Sequence, residues 1–224
     1  MNYNLVFVNN STLSGAACVY QDDPNLANQG FMKLAWFAKE THPSTHVLFQ
    51  WSIDYCFVWA ETGTLTPGVK FLASETKPAD LNTSNKITLD YVAGAFEFTN
   101  QVQGPNPGNL YISESASIPP TNRAAVGVGM SGFGTFAAQA GPNLQAVYTP
   151  HPKYYITFGN YNQGDVMDST ISTTSAEIDF PPNTYSMTAI LNQDNTWTIL
   201  PTPQVNAMHV EAKKSSNKAA WGVF

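Results

Sequence analysis

The sequence predicts an all-β fold, an antiparallel β-sandwich of jelly-roll-like character. Three observations carry that reading. Short apolar runs rich in Val, Ile, Thr and aromatic residues recur between Gly, Pro, Asn and Asp clusters, at the roughly 8–12-residue spacing of sandwiches and barrels. No unbroken stretch places apolar residues at i, i+3, i+4 and i+7; residues 33–40 come nearest. The densest aromatic stretch, Val47-Leu-Phe-Gln-Trp-Ser-Ile-Asp-Tyr-Cys-Phe-Val-Trp-Ala-Glu61, lacks a helical period and reads as two paired strands. Tyr154-Tyr-Ile-Thr-Phe-Gly-Asn-Tyr161 echoes its opening, and both runs are expected at the centre of the body.

Taken in order, a first strand is expected at residues 3–8, closed by Asn9-Asn-Ser-Thr12. Others follow at 15–21, ended by Asp22-Asp-Pro-Asn25, and at 33–39, 47–51 and 55–61. Residues 62–85 read as loop, with turns at Thr62-Gly63 and Pro67-Gly68. Residues 86–91 and 95–99 flank Ala93-Gly94 as a hairpin, because glycine accepts the positive φ of a tight turn. In that hairpin Ile87, Leu89 and Tyr91 alternate with polar residues, the pattern of one buried and one wet face. Strands at 109–113, 124–130, 134–140, 144–149, 153–158 and 170–180 come next. A second hairpin pairs 185–191 with 196–200, and a last strand is expected at 204–211.

This organisation suggests one large domain over residues 1–211 and a polar C-terminal tail over 212–224. His42-Pro ahead of Val47-Leu-Phe49, and His151-Pro ahead of Ile156-Thr-Phe158, suggest pseudo-repeated halves of about 1–113 and 114–211.

Composition narrows the function. Charged residues make up 12% of the 224, about half the usual share of roughly 25%. Ser, Thr, Asn and Gln take their place, so copies of this surface repel one another weakly and self-association is a live prospect. Net charge is −6, and the basic cluster Lys213-Lys214-Ser-Ser-Asn-Lys218 reads as a solvated tail, which disfavours nucleic acid. The N-terminus lacks the basic region and apolar length of a signal peptide. No run approaches the roughly 20 apolar residues of a membrane span. A cytoplasmic protein is expected, with release by a non-signal route left open. Cys18 and Cys56 are expected as buried reduced thiols.

The chemical motifs mostly dissolve into structure. Gly127-Val-Gly-Met-Ser-Gly132 matches the dinucleotide turn, but no helix and no downstream acid follow it. A glycine-rich strand with a close neighbour or a bulge is the better reading. His42 and His46 are split by Pro43 and lack the intervening glutamate of a helical zinc motif. Asp165-Val-Met-Asp168 lacks the calcium-loop pattern, so no metal and no cofactor are expected. Asp54, between Trp51 and Tyr55, reads first as a turn residue and second as a proton-transfer or ligand-binding group. The aromatics read first as core and second as a stacking platform.

Several blocks together resemble the RhiA-type family of bacterial rhizosphere-expressed proteins associated with quorum-sensing control. They are Leu34-Ala-Trp-Phe-Ala38, Trp51-Ser-Ile-Asp-Tyr55, Gly127-Val-Gly-Met-Ser-Gly132, Thr149-Pro-His-Pro-Lys-Tyr-Tyr-Ile-Thr-Phe-Gly159 and Ala176-Glu-Ile-Asp-Phe-Pro181. The resemblance spans residues 5–199 and implies an abundant soluble bacterial protein without a catalytic signature. Two functions are therefore expected ahead of an enzyme using Asp54 with His42 or His151. The first is a non-enzymatic structural or interaction protein that pairs with itself, as a dimer or higher assembly, through an uncharged edge at Leu5, Val6, Phe7 and Val8. The second is a carbohydrate-binding or small-molecule-binding module that takes a glycan or small aromatic ligand on Trp51, Asp54, Tyr55 and Trp59.

Overall fold

A computed structural model of the chain describes residues 2–23, 26, 30–168 and 174–221, with side chains as far as residue 211. The all-β expectation holds: the described residues form four sheets and one C-terminal helix. Sheet I joins β17 (Trp197–Pro201), β16 (Ser186–Leu191), β1 (Asn2–Asn9) and β5 (His46–Ser52) in that order. Sheet II joins β15 (Ala176–Ile178), β14 (Lys153–Gly159), β2 (Gly15–Asp22) and β4 (Phe37–Thr41). Sheet III joins β3 (Met32–Lys33), β12 (Phe133–Gln139), β11 (Ala124–Met130), β6 (Tyr55–Glu61) and β7 (Glu75–Ala79). Sheet IV joins β13 (Gln145–Tyr148), β10 (Leu110–Glu114), β8 (Lys86–Val92) and β9 (Ala95–Val102). Pairing is antiparallel except for β1 with β16 and β10 with β8, which make sheets I and IV mixed.

These sheets stack as two sandwiches. Leu5, Phe7, Phe49 and Met187 of sheet I meet Val19, Tyr154 and Ile156 of sheet II in one core. Phe57, Val126 and Phe136 of sheet III meet Ile87, Leu89, Phe98 and Ile112 of sheet IV in another. The first sandwich is discontinuous in sequence: the chain leaves it after β5, builds nearly all of the second, and returns with β14. The halves expected at 1–113 and 114–211 therefore do not form separate sandwiches. Every sheet takes strands from both sides of that boundary.

The same nesting corrects the reading of residues 47–61 as paired strands. β5 pairs with β1, while β6 pairs with β11 and β7, so the aromatic stretch is a crossing between sandwiches. It also corrects the expected edge at Leu5, Val6, Phe7 and Val8. β1 lies between β16 and β5 and is hydrogen-bonded on both sides. Leu5 and Phe7 are buried in the core, so neither the strand's backbone nor that face is free to pair with another copy.

Both expected hairpins form. At the β8–β9 turn, Ala93 and Gly94 adopt φ of 51° and 90°, the doubly positive signature of a type I′ turn. At the β16–β17 turn the Asn192 N–H donates to the Thr196 carbonyl at 2.8 Å. The glycine-rich run is a strand buried on both faces: a Cβ on Gly127 would strike the Phe136 carbonyl, and β11 bulges between Val128 and Gly129. No helix opens behind it.

Two elements differ from expectation. β7 lies where a loop was read, as an edge strand that tolerates Pro78 because one side of its backbone is unpaired. The strand expected at 204–211 is part of the helix Thr202–Trp221, which also takes in most of the expected tail. Pro203 suits a first helical turn, where no N–H is needed, and Val205 is buried against sheet I. Of the strand expected at 170–180, residues 170–173 lie outside the described residues, as do 24–25 of the turn expected at 22–25.

Candidate functional site

The crossing between sandwiches is where the predicted residues fall. After Ser52 the chain turns through Ile53 and Asp54 and enters β6. The turn is latched to the β11–β12 turn: Ser131 Oγ donates to the Ser52 carbonyl at 3.0 Å and accepts the Ser52 N–H at 2.9 Å. The Ser131 N–H donates to the Asp54 carbonyl at 3.0 Å, and the Ser52 hydroxyl donates to the Asp54 carboxylate. Asp54 thus serves a turn, the first of its two sequence readings. Its carboxylate is hydrogen-bonded by the Ser52 and Ser131 hydroxyls, whereas the His42 ring bonds Ser14 at 3.1 Å. Among the described residues no cluster of three His, Cys, Asp or Glu side chains is placed to hold a metal.

Trp51 is 3% exposed and belongs to the core of the first sandwich. Its ring lies 5.4 Å from Trp36, 5.2 Å from Tyr154 and 5.7 Å from Phe180, edge-on to the first and last. Trp36 is fixed there by its indole N–H, which donates to the Met130 carbonyl at 2.9 Å. Burial pushes the Tyr154 phenol up to about 12, opposed by the Trp51 N–H that faces it. Tyr55 packs against both sandwich cores, and burial pushes its phenol up to about 12 as well.

Trp59 stands farther along β6, donating its N–H to Glu75 at 2.8 Å. Burial alone would raise the Glu75 carboxyl. Hydrogen bonds from Trp59, the Phe98 N–H and Lys77 outweigh that and hold it low. The four proposed ligand residues are therefore not one surface: Trp51 is core, Tyr55 spans the seam, Asp54 latches a turn and Trp59 anchors β7. The cysteines are buried free thiols, and burial pushes Cys56 up to about 12.

Where strand edges meet, side chains occupy their backbone groups. Lys39 on β4 donates to the Leu48 carbonyl of edge strand β5 at 2.6 Å. Glu75 accepts from the Phe98 N–H of edge strand β9 at 3.0 Å, and Gln101 donates to the Pro78 carbonyl of β7 at 2.5 Å. Such groups are what another strand would need in order to add.

The outward face of sheet I is different. The strand register lines up Leu48, Val6, Thr188 and Leu200 in one row and His46, Val8, Ile190 and Thr198 in the next. Asn4 and Gln50 flank them, joined at 2.8 Å. Not one Asp, Glu, Lys or Arg occurs in β1, β5, β16 or β17. Each of the other three sheets carries several. Leu48 is 42% exposed, and Val6, Val8, Ile190 and Leu200 are half-buried. The C-terminal helix rests on β16 and β17, where Thr202 Oγ1 accepts from the Ser186 and Thr188 hydroxyls at 3.0 and 3.1 Å.

The RhiA family model matches residues 1–202. Protein RhiA of Rhizobium leguminosarum bv. viciae is 36% identical over 202 residues, covering 89% of this chain and 86% of the relative. The chain belongs to the RhiA family. No solved structure matches it. For this RhiA-family chain the matched residues take in every described strand. The helix begins at the last matched residue and lies beyond the match. No helix among the described residues is long and apolar enough to cross a membrane. Sequence reasoning missed sheet I because its four strands are scattered through the chain. The missing charge was visible only as a low total.

Proposed function

We propose that this RhiA-family protein is a non-enzymatic structural or interaction protein that associates with itself through the outer face of sheet I. The observation that carries the reading is the absence of charge from all four strands of that sheet, in a chain of net charge −6. Two such chains repel each other, so a contact between copies is cheapest where no carboxylate must be desolvated. The apolar rows supply the attraction and the amide row of Asn4 and Gln50 supplies a polar rim.

Area sets the strength. With the helix over β16 and β17, the two open strands β1 and β5, about 4.8 Å apart and about seven residues long, present roughly 220 Å² per copy, or about 450 Å² in a pair. That is a small contact, which fits a weak, reversible dimer. A face paired with the same face of a second copy is isologous and closes at two.

Sedimentation equilibrium over a concentration series tests the reading. The expected result is a monomer–dimer equilibrium that tightens as salt rises, because screening removes the mutual repulsion of two acidic chains. A monomer at every concentration up to about 1 mM, the affinity limit of a barely specific contact, overturns it.

A further inference from the structure

We infer that the cleft where the two sandwiches meet the loops over sheet III binds a small molecule with an apolar body and an anionic head, such as an arylalkyl carboxylate. The cleft holds about 370 Å³, within the range of small-molecule sites. It is lined by Trp36 ahead of β4, by Gly132, Phe133 and Gly134 of the β11–β12 hairpin, by residues 70–73 and 76, and by residues 163–164.

Its walls are built in advance. The loops carrying Phe71 and Gly164 are laced together by backbone hydrogen bonds: Phe71 N–H to Gly164 O at 2.8 Å, Val166 N–H to Val69 O at 2.8 Å and Gly68 N–H to Val166 O at 2.9 Å. Gly164 N–H then donates to Ala35 O at 2.8 Å, and Gln163 Nε2 donates to Trp36 O at 3.0 Å, tying both loops to the first sandwich. Gly164 has φ of 86°, and a Cβ there would strike the Phe71 carbonyl, so the close approach depends on glycine. Phe71 is buried, and it and Trp36 form a floor that does not need to move.

The lips are apolar and held in water. Leu72 is 63% exposed on its loop and Phe133 is 47% exposed at the start of β12, both lining one opening. Large side chains set this way bury their surface when a ligand enters. Charge selects the head group. Lys70 is the single charged residue of the lining, in a chain with 16 acidic and 10 basic residues, and it makes no ion pair among the described residues. Gln163 and Thr76 add hydrogen-bonding capacity beside it. A carboxylate near Lys70 with an aryl body against Phe71 and Phe133 satisfies both. None of the residues used here belongs to the outer face of sheet I.

The test uses 4-phenylbutyrate and its neutral amide in ligand-observed NMR titrations against the full chain, at low salt. The acid is expected to bind about fivefold more tightly than the amide, the worth of one exposed charge pair. Lys70→Gln should erase that ratio while leaving amide binding unchanged. Leu72→Ser should weaken both ligands without altering the circular dichroism, since Leu72 is exposed. Equal affinity for acid and amide, an unchanged ratio in Lys70→Gln, or no binding of either ligand overturns the inference. Sedimentation of the same samples reads self-association separately.

Discussion

Sheets I and II bury one aromatic core between them, yet their outward faces are finished in opposite ways. Sheet II is covered and charged. Its outward Cys18 and Tyr20 lie under Ala35, Met167, Tyr155 and Tyr161, and its margins carry the Lys33–Asp22 and Lys153–Glu177 pairs at 2.8 and 3.3 Å. The strands of sheet I carry no charge, and the helix rests on β16 and β17. The core cannot explain this, because both sheets serve the same core. An uncharged, half-apolar sheet face in an acidic protein is the feature on which the proposed self-association rests.

The largest effect should come from breaking sheet I itself. Deleting residues 1–10 removes a central strand, so cooperative unfolding should be lost along with any association. Phe7→Ala alone should cost about 3–5 kcal/mol in urea denaturation followed by circular dichroism. A wild-type midpoint in Phe7→Ala would make β1 peripheral and dissolve the comparison.

A buried carboxyl in the second sandwich sharpens the contrast with the charge-free sheet. Glu114 is buried beside the 141–144 turn and accepts the Gly141 N–H at 2.7 Å; burial pushes its carboxyl from 4.5 up to about 7. The folded state therefore holds this proton more tightly than the unfolded chain. Its contribution is full below about pH 4.5 and is lost as pH rises through about 7. Glu114→Gln keeps an acceptor for Gly141 and should stabilise the protein by roughly 1–2 kcal/mol at pH 8, with no gain at pH 4. Thermal unfolding at the two pH values checks it; an equal effect at both removes the role assigned to burial.

The smallest effect belongs to the edge of sheet I. Lys39→Ala frees the Leu48 carbonyl and should change monomer stability by no more than about 1 kcal/mol. A larger loss would mean that Lys39 holds β4 against β5 instead of shielding an edge.

Local signals carried a good part of the architecture. The Ala93-Gly94 and Asn192–Asn195 turns, the alternation of Ile87 and Leu89, and the glycines of β11 all stated their roles in the sequence. What failed was pairing across distance. Residues 47–61 read as a hairpin because Ser52, Ile53 and Asp54 look like a turn, and they are one; nothing local says that the two strands leave it for different sheets. β1 read as an edge because it is uncharged, a property that a buried central strand shares. The helix had a legible start in Thr202-Pro203, with Val205 and Met208 three apart, but Val205 and Val210 invited a strand. For the site, aromatic density marked the right region, while the side of the sheet each ring faces was set by the crossing. The exposed rings that matter, Phe133 above all, lie outside the dense stretch.

One pair of variants tests the central claim most directly. Sedimentation equilibrium of Leu48→Lys and Lys39→Ala beside the wild type separates association through the face of sheet I from association through its edge. The account predicts that Leu48→Lys, which places a charge on the most exposed apolar residue of the face, stays monomeric, while Lys39→Ala associates as the wild type does. Undiminished association in Leu48→Lys, with stronger association in Lys39→Ala, would contradict it and return the contact to the strand edge.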